Sequence, residues 1–246
     1  MMTDVPALRL LGFPVRVKPG FLAFLALVII WNPGVGWKFA IAITIFSLVH
    51  ELGHATAAKR LGAQPEIALD FLAGSTRYTP PRPITPIERA WVAVSGPAVE
   101  IVLGLVVLGV MRVNPLDVPQ VFESQVAGVV WIAGPVFGFL NLLPILPLDG
   151  GHVLSGALES IWPSHGGIVA IAFSAAVTLA VGVVTLLEPA ARWLAPFALM
   201  LLVLQIWPLV PQRTRGTRRR ATRPAPADAD AEPVAEPVAE PVASEA

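Results

Sequence analysis

Apolar residues in this chain come in long unbroken runs separated by short polar, proline-bearing breaks. Runs of about 18 or more apolar residues read as bilayer-spanning helices. The pattern predicts six crossings: Phe21 to Trp31, Trp37 to Lys59, a third ending near Met111, Val126 to Leu146, Ile168 to Leu187, and about Trp193 to Leu209. The first run is short for a span and would have to extend through Gly34 to Gly36. Its charged flank followed by a short apolar stretch also resembles a secretory signal, but Asn32 to Trp37 offers no small-x-small cleavage site, so an uncleaved first span is expected. The expected fold is an all-α polytopic membrane protein with six transmembrane helices.

The breaks carry their own signals. Glu66 to Leu72 and Ser75 to Thr79 flank Ala73-Gly74 and predict a small membrane-associated β-hairpin. Thr85-Pro86-Ile87-Glu88 is a helix start, with threonine as N-cap, proline in the first helical position and glutamate three residues after the cap. Pro135, between Gly134 and Gly138, should kink or loosen the fourth span. Pro144 and Pro147 end that span before Leu148-Asp149-Gly150-Gly151, and a short helix is expected around Val153 to Trp162. From Pro211 the character changes to arginine-rich and then Pro/Ala/acidic sequence with three EPVA repeats. Such a tail is expected to be disordered. Two units follow: a membrane-embedded core over 1–211 and a tail over 212–246.

Composition sharpens this picture. The chain is 55% hydrophobic and 14% charged, with mean hydropathy +0.70, which excludes an ordinary soluble domain and gives no sign of nucleic-acid binding. Cysteine is absent, so a metal would have to use histidine and carboxylate ligands. Six crossings with a cytoplasmic tail put both termini in the cytoplasm. Arg9, Arg16, Lys18, the Lys/Arg between Lys59 and Arg89 and the tail arginines then lie inside, leaving only Lys38, Arg112 and Arg192 outside. That asymmetry follows the positive-inside rule.

Near the end of the second run stands His50-Glu51-Leu52-Gly53-His54. On a helix, histidines four apart project from one face and both can reach one ion, while Glu51 is aimed beside it. A chance H-E-x-x-H in a chain of this length is on the order of one in a few hundred. Hydrogen-bonded core histidines are the structural alternative, yet three ionisable side chains in apolar helix are costly without a purpose. A hydrolytic zinc site takes three protein ligands and keeps one open position, so a third ligand is needed. Asp149, in a helix break on the same side of the membrane, is the candidate; capping the following helix is its alternative role.

With these residues the chain resembles the site-2 proteases, intramembrane zinc metalloproteases. The match comprises His50 to His54, Ser95-Gly96-Pro97, and Asn141-Leu142-Leu143-Pro144 running into Pro147-Leu148-Asp149-Gly150-Gly151, and covers roughly residues 10 to 210. The resemblance implies one Zn2+ per chain held by His50, His54 and Asp149, with Glu51 as general base. It suggests a substrate contact for Asn141, for which an interhelical hydrogen bond is the alternative. Two departures stand out: Glu100 where members often carry asparagine, and His152 where they often carry arginine. Glu100 is expected to bond a neighbouring helix or to line a water path, and His152 to sit at the interface.

The function expected is an intramembrane zinc metalloendopeptidase that cleaves within or beside transmembrane segments of other membrane proteins. Its partners are the lipid bilayer, a transmembrane substrate and a regulatory membrane partner acting in trans. The hairpin near Gly74, if it has an unpaired edge, can hold an extended substrate segment by strand addition. Two rivals remain: a metal-ion transporter or channel using the same donors, and a non-catalytic scaffold that binds membrane helices.

Overall fold

A computed structural model describes residues 8–71, 74–188, 199, 201–203 and 205. The chain opens with two strands, β1 (Leu8–Leu10) and β2 (Phe13–Val17), followed by α1 (Pro19–Trp31) and α2 (Gly36–Arg60). Next come β3 (Glu66–Leu69), β4 (Gly74–Arg77) and α3 (Pro86–Val110). The second half is helical: α4 (Val118–Glu123), α5 (Gln125–Trp131), a π-helical segment (Ile132–Val136), α6 (Phe137–Asn141), α7 (Asp149–Ile161) and α8 (Gly166–Leu187).

Among the described residues, α2, α3 and α8 are long and apolar enough to cross a membrane. Each matches an expected span to within a few residues. The first expected span is realised as α1, whose 13 residues rise only about 20 Å. The fourth is a helical run of 17 residues, Gln125–Asn141, that ends before the expected Leu146. Pro144 accounts for the early stop, because it disfavours helix in the residue before it and lacks an N–H to continue the ladder. Pro135 loosens this run as expected, and it lies within the π-helical segment. The sixth expected span and the tail over 212–246 lie largely or wholly outside the described residues.

The predicted capping box is present. Thr85 accepts from the Glu88 N–H, and the Glu88 side chain accepts from the Thr85 N–H. Two N–H groups that helix geometry leaves orphaned are thereby satisfied.

The expected hairpin is half of a larger element. Strands β1 to β4 form one sheet in chain order, with β1–β2 and β3–β4 antiparallel and β2–β3 parallel. Leu11 and Gly12, at φ 49° and 87°, make the two-residue turn between β1 and β2, the primed geometry that suits strand twist. Parallel pairing with β3 begins at Val15, one residue after Pro14, which has no N–H to offer. Phe13, Val15 and Ile67 then pack with Ala55, Leu48 and Leu52 of α2. The sheet is thus seated on the helical turns that carry the histidines. Because β3 is paired on both sides, the free edge next to α2 belongs to β4. Within the expected hairpin, the unpaired edge is therefore that of Gly74–Arg77.

A second cluster, Phe21, Ala42, Ile43, Phe46, Leu108, Ala127, Val129, Val130 and Ala133 among its members, binds α1, α2, α3 and α5 together.

Candidate metal centre

Helix α2 presents His50, Glu51 and His54, all buried. The packing of α3 sets what surrounds them. A Cβ on Gly53 would lie 2.5 Å from the Ser95 carbonyl oxygen, and one on Gly96 would lie 2.3 Å from His54 Nε2. Only glycine at both positions lets the two helices approach this closely while leaving room for the imidazole.

Asp149 arrives from the second half of the chain. It begins α7, where Leu148 is the N-cap and makes no side-chain cap bond. A Cβ on Gly150 would meet the Leu142 carbonyl oxygen at 2.1 Å, so the preceding loop folds back against the start of α7. Ser174 of α8 fastens that loop, its Oγ accepting from the Leu146 N–H at 2.7 Å. The Asp149 carboxyl consequently faces both histidines rather than capping its own helix.

The donor atoms converge. His50 Nε2 and His54 Nε2 are 3.0 Å apart, His50 Nε2 lies 3.1 Å from Asp149 Oδ2, and His54 Nε2 lies 3.4 Å from Asp149 Oδ1. Three ligands at zinc distances on a tetrahedron stand about 3.3 Å apart. The residues present therefore fit a small tetrahedral cation. The outer nitrogen of each ring is also held: His54 Nδ1 lies 2.7 Å from the Val92 carbonyl oxygen, and His50 Nδ1 lies 2.8 Å from Glu100 Oε2. Hydrogen bonds of this kind fix ring orientation and leave the inner nitrogen free to coordinate.

Glu51 is engaged by the sheet. Thr76 Oγ1 of β4 donates to Glu51 Oε2 at 2.6 Å and reaches the Glu51 backbone oxygen at 3.1 Å. A Cβ on Gly74 would lie 2.4 Å from Glu51 Oε1, so only glycine admits the strand here.

Comparison with known proteins adds to this geometry. The model of peptidase family M50 matches residues 118–188. A putative zinc metalloprotease of Synechocystis is 30% identical over 65% of this chain and 46% of its own length. The putative zinc metalloprotease Rip3 of Mycobacterium tuberculosis is 31% identical over 72% of this chain and 48% of its own length. The chain is similar to peptidase family M50 over residues 118–188 and to these zinc metalloproteases over about two thirds of its length. It spans just under half the length of these curated relatives. The site-2 protease of Methanocaldococcus jannaschii shares the fold, with a TM-score of 0.54 at 22% identity over 81% of this chain and 92% of that one.

The structure brings together His50, Glu51, His54 and Asp149. Asn141 closes α6, half-buried, and its side chain has no hydrogen-bond partner among the described residues. His152 is exposed on α7 and is not among the converging donors. Sequence reasoning singled out Glu100 and expected a bond to a neighbouring helix; the bond is made, and it is to His50 itself. Thr76 was missed, since a threonine in a short strand carries no local signal of what lies across from it.

Proposed function

We propose that this chain is an intramembrane zinc metalloendopeptidase that cleaves peptide bonds within or next to transmembrane segments of membrane-protein substrates, as in regulated intramembrane proteolysis. The observation that carries the reading is the convergence of His50, His54 and Asp149 at ligand spacing with Glu51 directly beside them. His50, His54 and Asp149 would hold the ion, one per chain. A zinc ion bound there supplies Lewis acidity toward a scissile carbonyl and toward water.

The remaining work falls to the chain's own side chains. Glu51 takes a proton from the attacking water and returns it to the leaving amide nitrogen. A substrate helix must first unwind, because its carbonyls are hydrogen-bonded within the helix. The free edge of β4 offers an unpaired strand to that extended segment, directly over Glu51. Asn141, with its amide free of partners among the described residues, is available to bond the substrate backbone.

The apolar helices and the distribution of Lys and Arg support a multi-pass cell-membrane protein of six crossings with both termini cytoplasmic. Its partners would be the bilayer, a transmembrane substrate and a regulatory membrane protein.

The test measures zinc content and cleavage of a single-span reporter for the unaltered chain and for Glu51→Gln. Zinc in both, with cleavage by the unaltered chain alone, is the expected result. Zinc flux into liposomes without cleavage would favour a transporter. Absence of zinc from the unaltered chain would overturn the ligand assignment.

A further inference from the structure

Glu100 is 3% exposed in the middle of α3, three residues beyond Pro97. An acidic side chain at that depth is costly unless something holds it. What holds it is the outer nitrogen of one of the two histidines of the candidate metal centre. Its Oε2 lies 2.8 Å from His50 Nδ1, and the same ring places Nε2 3.0 Å from His54 Nε2 and 3.1 Å from Asp149 Oδ2.

An imidazole that coordinates through Nε2 must carry its proton on Nδ1. For His54 that proton is accepted by the Val92 backbone oxygen, an acceptor that any sequence at position 92 would supply. For His50 the acceptor is a side chain, and therefore a property of this sequence. The four-residue spacing of His50 and His54 puts both rings on one face of α2, but it leaves each ring free to turn about its χ angles. Contact with Glu100 removes that freedom for His50 and selects the tautomer whose inner nitrogen can bind an ion. Carboxylate acceptors behind coordinating histidines do this in metal sites generally, and their loss typically costs about 10- to 100-fold in metal affinity.

We infer that Glu100 is a positioning residue of the metal centre, acting through His50 to orient its ring and fix its tautomer. The inference rests on the metal-centre reading above. An asparagine at position 100 would be one methylene shorter, so the reach to His50 Nδ1 belongs to the glutamate present here.

The experiment uses the full chain purified in detergent and measures zinc affinity by competition with a chromophoric chelator. Unaltered protein, Glu100→Gln and Glu100→Leu are compared, with helical content by circular dichroism as the check on folding. Glu100→Gln keeps the length and a carbonyl acceptor; Glu100→Leu keeps the bulk and removes the acceptor. The expected result is a loss of affinity of about 10- to 100-fold in Glu100→Leu and a smaller loss in Glu100→Gln. A second readout is nitrogen NMR of histidine-labelled protein, in which the His50 Nδ1–H signal seen in the unaltered chain is weakened or lost in a variant without an acceptor. If Glu100→Leu is folded and binds zinc as tightly as the unaltered chain, the inference is overturned. If Glu100→Leu does not fold, Glu100→Gln decides: unchanged affinity and an unchanged His50 signal overturn the inference, and reduced affinity with a shifted signal supports it. Failure of the unaltered chain to bind zinc is a separate outcome that removes the metal-centre reading and this inference with it.

Discussion

The hydroxyl of Thr76 donates to the carboxyl of Glu51 across 2.6 Å, joining a strand of the sheet to the residue next to the histidines of the candidate metal centre. The two are 25 residues apart in sequence. Strand β4 supplies both this bond and, at Gly74, the clearance the Glu51 side chain needs. The sheet is therefore part of the candidate site and not merely an attachment to it.

Thr76→Val keeps the shape of the side chain and removes the donor. A hydrogen bond to a charged group contributes about 1.5–3 kcal/mol, so reporter cleavage should fall by roughly 10- to 100-fold, with zinc content unchanged because Thr76 touches none of the candidate ligands. Thr76→Ser should recover most of the rate. Full activity in the valine variant would mean that Glu51 needs no such support.

Gly96→Ala should damage the metal site directly. The added methyl would sit 2.3 Å from His54 Nε2, so either the imidazole turns away or α3 withdraws from α2. Overpacking of this kind typically costs about 1–3 kcal/mol. Zinc content and the melting temperature should both drop, and metal analysis with a thermal melt checks them together.

Ser174→Ala removes the acceptor for the partly buried Leu146 N–H, three residues before Asp149. Leaving such a group unpaired costs about 1–3 kcal/mol, and the loop that delivers Asp149 loses its anchor on α8. Weaker zinc retention against a chelator is expected even at temperatures where the variant is folded. Retention equal to that of the unaltered protein would mean the loop is held by its own packing.

The acid side of the stability profile should depend on Asp70. Lys18 Nζ at 2.6 Å and the Phe71 N–H at 2.8 Å hold its carboxyl below the ordinary carboxylate value. A group whose pKa is lowered on folding contributes stability above its unfolded value, about 3.9, and loses that contribution as pH falls through the lower folded value. Asp70→Asn should therefore melt below the unaltered protein at neutral pH, with the gap closing as the solution is acidified. The gap should be small, since both side chains are about half exposed. Thermal melts of the two proteins across pH measure it.

Much of the frame was legible in the sequence because its determinants are local. The apolar runs that became α2, α3 and α8, the Thr85 to Glu88 capping box, the loosening at Pro135 and the common face of His50 and His54 each depend on residues within a few positions of one another. The break at Leu148 to Gly151 is local too, and it pointed to Asp149. What the sequence left open depends on contacts between distant segments. Strand β2 was invisible because it pairs in parallel with β3, about 50 residues away, and only five residues alternate along it. The early end of the helix at Asn141 was misjudged because apolar composition does not say where a helix stops. That Glu100 bonds to His50, and that Thr76 bonds to Glu51, had no sequence signal, since a side chain's partner across two packed elements is set by their register and distance. The sequence determined which residues could do the chemistry, through spacing and side-chain type. Only tertiary packing, through the glycine contacts between α2 and α3 and the seating of the sheet on α2, decided which other side chains hold them in place.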